Sequence, residues 1–104
     1  MNQPLSWLHY WAWYYLGHCY AALNRFEDSF VAYMRAVQLF PERAEAWIAQ
    51  GMVHRNLGEY DRAVPFFSAA SSLKKPENIG FCQEEDYNGK AQENLSFCLE
   101  KINV

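Results

Sequence analysis

The 104-residue sequence predicts an all-α chain, a stack of antiparallel helix pairs, and three observations carry that expectation. Aromatic, glycine and small residues recur at a constant offset of 34 residues, the mark of a repeated structural unit. Within each copy the apolar residues fall at helical spacing, not at the alternation of a strand. Each helical run then ends at a residue that tolerates left-handed backbone, and each unit ends near a proline.

The first run aligns Trp13, Leu16, Gly17 and Tyr20 with Trp47, Gln50, Gly51 and His54 at that offset. Trp13, Leu16, Gly17, Tyr20 and Leu23 fall at i, i+3, i+4, i+7 and i+10, one stripe expected to pack internally. Asn24 and Gly58 stop the two runs. Acids follow where the next helices begin, Glu27 and Asp28 in one unit and Glu59 and Asp61 in the other, and complement the positive helix ends. The second helix of each pair repeats Phe26, Ser29, Tyr33 and Ala36 as Tyr60, Ala63, Phe67 and Ala70. Pro65 is expected near a first turn, where a missing N–H costs little, and Pro41 and Pro76 end the units. Gly17 and Gly51 have a packing reason to recur, since a missing side chain lets the paired helix come close.

A third unit is partial. Leu95, Ser96, Cys98, Leu99 and Ile102 follow the stripe of Leu16, Gly17, Cys19, Tyr20 and Leu23, displaced by 79 residues. That is two periods plus about eleven residues, placed as an inserted loop at 74–85. Residues 86–102 read as a closing helix with Lys90, Glu93, Glu100 and Lys101 outward.

Trp, Leu, Gly and Tyr, then small, aromatic, small and Pro at these spacings resemble the tetratricopeptide repeat. The resemblance covers repeats at about 10–43 and 44–77 within one domain, 1–104. It departs at Ser29 and Tyr33, where Ala and Phe are usual, and at Gln50 and His54, where Leu and Tyr are usual. It implies a right-handed superhelical stack and a non-catalytic protein–protein interaction scaffold that takes a peptide or protein segment on its concave face. The lining falls on the first helices, off the internal stripe, with Trp11, Tyr14, His18, Ile48, Met52 and Arg55 as the candidate contacts. Ala21, Ala22, Glu45 and Asn56 share these faces, and the closing helix adds Lys90, Glu93, Phe97 and Lys101. One branch of the family grips chaperone tails through Lys and Asn; Tyr14, His18 and Ala49 stand there instead, so that clamp is absent.

A second resemblance, to the repeat segment of bacterial family-2 glycosyltransferases, rests on Lys75-Pro76-Glu77, Gly80-Phe81, Tyr87-Asn88 and residues 95–98. It implies a tethering segment of a larger enzyme, without the catalytic domain. A third alternative is a self-assembling structural module. Two and a half repeats are near the lower limit for a stacked array, and the lead from Trp7 to Trp11 is not polar as a terminal repeat requires. A homo-oligomer through this aromatic first helix is therefore an expectation, beside a fragment of a longer protein and an unusually well packed minimal domain.

Charge and composition narrow the partners. A net charge of −3 with scattered Lys and Arg disfavours nucleic acid. The longest uncharged stretch, 12–23, is too short and polar to span a membrane. No secretory signal opens the chain, and Cys19, Cys82 and Cys98 lack metal spacing, so a cytoplasmic protein with free thiols is expected. Cys19 and Cys98 are expected as small buried residues in the same slot, two units apart. No enzyme, cofactor or metal is expected: His9 and His18 lie about 13 Å apart along a helix, His54 takes a core aromatic slot, and no phosphate loop occurs.

Overall fold

The computed structural model describes residues 5–73 and 89–102. These form five helices: α1 (Leu5–Ala22), α2 (Phe26–Leu39), α3 (Ala44–Asn56), α4 (Tyr60–Ser71) and α5 (Lys90–Ile102). Each packs on the next in sequence, and α1 also reaches α3. The result is an all-α stack of two helix pairs closed by α5. The inserted loop at 74–85, the first residues of the expected closing helix and Cys82 lie outside the described residues.

The turns inside the two pairs are near copies. Asn24 and Gly58 take φ of 62° and 78°. Behind each, the same two hydrogen bonds close the helix end. Arg25 N donates to the Tyr20 carbonyl at 2.8 Å and Asn24 N to that of Ala21 at 3.0 Å. Glu59 N donates to the His54 carbonyl at 2.8 Å and Gly58 N to that of Arg55 at 3.0 Å. This pair of bonds satisfies carbonyls that a helix end otherwise orphans. Glu27 and Asp28 sit in the first turn of α2 and Asp61 in that of α4, as the dipole favours.

The recurrent glycines are the contact points within each pair. A methyl on Gly17 would stand 2.5–2.8 Å from the Tyr33 ring, and one on Gly51 2.8–3.0 Å from the Phe67 ring. Both distances are below any real carbon contact, so the aromatic ring occupies the space the glycine leaves. Ser29, Tyr33 and Ala36 are buried on α2, as are Ala63, Phe67 and Ala70 on α4. Ser29 also donates its hydroxyl to the Gly17 carbonyl at 2.9 Å.

Between the pairs, a charged cluster is buried that the periodicity did not reveal. Arg43 grips Glu45 through two nitrogens, at 3.1 and 2.9 Å, with both side chains almost wholly covered. The Tyr10 hydroxyl donates to Glu45 at 3.3 Å and accepts from the Ala46 backbone at 3.2 Å, tying α1 to α3. The Arg43 guanidinium lies 4.5 Å from the Trp7 ring centre and 5.5 Å from that of Trp11. Arginine suits this place because its planar fork matches a carboxylate edge-on while its faces stack on rings.

Three expectations are corrected. Leu16 and Leu23 do not pack internally; they are exposed, while Gly17 of the same stripe is buried, Trp13 and Tyr20 are half-buried, and α1 also buries Tyr10 and Tyr14. Cys19 is exposed while Cys98 is buried. The reason is positional: Ala46, Gln50 and Val53, one period beyond Ala12, Leu16 and Cys19, are buried because a pair precedes them in the stack. Ala91 and Cys98 are buried on α5 for the same reason, against the cluster of Phe67 and Ala70, whereas no described helix covers that face of α1. Pro65 is the sixth residue of α4, not in its first turn. Pro65 and Asp61 are both exposed, so water can reach the carbonyl left without its N–H partner.

Candidate functional site

The first helices of the two pairs, α1 and α3, bring Tyr14, His18, Ile48 and Met52 around one cavity of about 300 Å³. Tyr33, Glu45, Ala49, Val53, Asn56 and Lys90 complete its lining. Tyr14 and Ile48 are buried and form its apolar base, while Met52 is half-buried and His18 exposed. The spacing explains the set: Tyr14 and His18 are one turn apart on α1, and Ile48 and Met52 are one turn apart on α3.

His18 is held by a second helix. Its Nδ1 lies 2.5 Å from the Tyr33 hydroxyl. Burial pushes the Tyr33 phenol up to about 12, against a smaller downward pull from Ser29 and a small upward push from Cys19. Burial, and then the Lys90 ammonium, lowers His18 below the ordinary histidine value. Tyr33 therefore keeps its proton and donates, the neutral imidazole accepts at Nδ1, and its own proton resides on Nε2. Glu45 adds a carboxylate whose charge is held by Arg43 and Tyr10. The cavity thus combines an apolar base with a fixed imidazole and the polar side chains of Asn56 and Lys90.

Trp11 and Arg55 do not line it. Trp11 packs edge-on against Tyr14 at 5.3 Å, within the aromatic group over Arg43. Arg55 lies over the Phe97 ring at 4.2 Å, joining α3 to α5. Tyr33 is the lining residue that periodicity assigned to the core alone; its signal was a hydroxyl in a slot where Phe is usual. Val53 gave none. His54 does fill a core aromatic slot, stacked between Phe30 at 4.3 Å and Phe66 at 5.4 Å and bonded to Glu59 at 2.9 Å.

Residues 10–43 and 44–76 each match a family model described as tetratricopeptide repeat. The chain belongs to the tetratricopeptide-repeat family. Among curated proteins it is similar to anaphase-promoting complex subunit 6 of Dictyostelium discoideum, 30% identical over 61 residues, covering 59% of this chain and 7% of the relative. It is also similar to the cell division cycle protein 16 homologs of Homo sapiens and Mus musculus, each 27% identical over 74 residues, covering 66% of this chain and 12% of the relative. The chain spans between 7% and 12% of the length of these relatives. As a tetratricopeptide-repeat protein it is a helical scaffold of the protein–protein interaction type. No described helix is long and apolar enough to cross a membrane. Among the described residues, no three His, Cys, Asp or Glu side chains converge as a metal site. Of the residues behind the glycosyltransferase resemblance, 75–81 and 87–88 lie outside the described residues, and 95–98 fall in α5.

Proposed function

We propose that this chain is a non-catalytic scaffold that takes a peptide segment of a partner protein on the concave face of its repeats. The observation that supports this reading is the cavity between α1 and α3, which joins four of the six expected contact residues. Its volume of about 300 Å³, at the small end of the range for ligand pockets, has room for an apolar anchor side chain. Ile48, Met52 and Tyr14 hold that anchor, and the His18 Nε2–H donates to a peptide carbonyl beside it. Trp11 and Arg55 flank the bound segment. The partner sits in a multisubunit assembly, as does the Dictyostelium relative, a subunit of a complex by its name. The scaffold works in the cytoplasm.

A displayed library of random peptides tests this. Binders selected on the chain are measured by fluorescence anisotropy against Met52→Glu and His18→Ala variants, with circular dichroism as the fold control. Met52→Glu is expected to weaken binding about tenfold or more by placing a charge against the apolar anchor. A Gln38→Ala change on α2 is expected to have no effect, since Gln38 lines a separate depression with Phe30, Val31, Met34 and Arg35. Binders indifferent to both groove variants would remove this cavity from the account.

A further inference from the structure

The cavity between α1 and α3 is divided by chemistry, and the period of the chain shows how. One period beyond Tyr14 and His18 stand Ile48 and Met52, so the same lining slots are polar in the first repeat and aliphatic in the second. Ile48 is buried and Met52 half-buried, which suits an apolar anchor. Two ionisable side chains share the lining with access to water, His18 on α1 and Lys90 on α5.

Charge in this cavity is one-sided. The Glu45 carboxylate is buried and already held, by two Arg43 nitrogens and the Tyr10 hydroxyl. The Lys90 charge acts into the cavity: after burial, it is what lowers His18. Around the imidazole stand Tyr14 and Tyr15 on its own helix, Tyr33 from α2, Glu45 from α3 and Lys90 from α5. Lys90 is the cation among them, and the acid among them carries its own cation in Arg43. A purely apolar segment lying here strips water from the ammonium and gives it no opposite charge in return. A segment with a carboxylate beside its anchor does.

Resting on the groove reading above, we infer that the segment it takes is acidic next to its apolar anchor: an Asp or Glu side chain meets the Lys90 ammonium and sets its negative charge beside the His18 imidazole. The His18 Nε2–H stays on the peptide carbonyl. The carboxylate opposes the field of Lys90 at the ring, so binding draws a proton from solvent onto Nδ1. Nδ1–H then donates to the Tyr33 oxygen, and the Tyr33 hydroxyl turns to Ser29, its other hydrogen-bond partner. Recognition of the acid is thereby linked to proton uptake. Affinity rises as the pH falls toward the lowered value of free His18, and levels off below it.

The probe is a binder from the displayed random-peptide library, synthesised with its acid as Glu and as Gln, and with free and amidated ends. Each form is measured by fluorescence anisotropy on the whole chain, with circular dichroism as the fold control. Selected binders are expected to carry Asp or Glu within about two residues of the anchor, adjacent along an extended segment. Exchanging Glu for Gln is expected to weaken binding about tenfold to wild type and to Lys90→Arg, but less than about twofold to Lys90→Gln. Affinity for the Glu form is expected to rise about threefold or more from about pH 8 to about pH 6. The Gln form, and the His18→Gln variant, are expected to give flat profiles over that range. Calorimetry in phosphate and in Tris should show proton uptake with the Glu form alone. Binders without an acid, a Gln exchange that costs wild type and Lys90→Gln alike, or an affinity for the Glu form that ignores pH overturn the inference. So does a loss on amidation without a loss on Gln exchange, which assigns the charge to a chain end. Sensitivity of those same peptides to Met52→Glu would still uphold the groove, whereas indifference to it overturns both readings.

Discussion

Gly17 illustrates how one missing atom sets the spacing of two helices. Alanine is worth about 1 kcal/mol over glycine in a helix interior, but a methyl here drives into the Tyr33 ring. Overpacking of that kind costs about 1–3 kcal/mol, so the clash outweighs the propensity gain. Gly17→Ala is expected to lower stability by roughly 1–2 kcal/mol in urea unfolding, and Tyr33→Leu in the same chain should recover part of it. Arg43 shows the opposite economy, a charge made tolerable by its surroundings. Arg43→Ala leaves the Glu45 carboxylate buried beneath Tyr10 with its cation gone, a loss of about 3–5 kcal/mol that thermal melting would register. His18 couples stability to pH. Its native value lies below the 6.5 of the unfolded chain, so as pH falls through 6.5 the unfolded state takes up a proton that the native imidazole resists. Stability is expected to fall with acidification from that point until the native His18 itself titrates. His18→Gln should flatten this part of the profile of urea midpoint against pH.

Among the elements, α4 is the one weakened from within. Pro65, at its sixth residue, removes a ladder hydrogen bond that an exposed position does nothing to replace except through water. Pro65→Ala is expected to raise stability by about 1–3 kcal/mol, measured as an upward shift of the urea midpoint with unchanged slope. The fold of the helix pairs was legible in the residues because their signals are local. Asn24 and Gly58 mark the turns by their own backbone tolerance, and Gly17 with Tyr33 repeats as Gly51 with Phe67. The cavity between α1 and α3 was legible only in part. Helix faces alone set Tyr14, His18, Ile48 and Met52 on one side, while Tyr33 enters through a hydroxyl from the partner helix. Trp11 and Arg55 share those faces but turn to Arg43 and Phe97, contacts made across the stack that no single helix encodes.

At the scale of the whole molecule, the two ends of the stack are unlike. At one end α5 covers α4 with Ala91 and Cys98, and burial pushes the Cys98 thiol up, against a smaller pull from Arg55, which keeps it protonated and inert. Removing α5 would uncover Tyr60, Val64 and Phe67 in an array already close to the minimum length. Its deletion is expected to abolish cooperative thermal unfolding by circular dichroism. At the other end no described helix covers the outer stripe of α1.

The amino-acid order by itself determined the period, the helix stops, the close approach of paired helices at the recurring glycines and the membership in a repeat family, because each depends on residues within one unit. The tertiary structure alone decided which side of α1 is covered, why Cys19 is exposed when Cys98 is buried, and how Arg43 meets Glu45 beneath three aromatic rings. Burial at those positions depends on what stacks beyond the unit, and a repeat carries the same residues whether or not a neighbour lies against them.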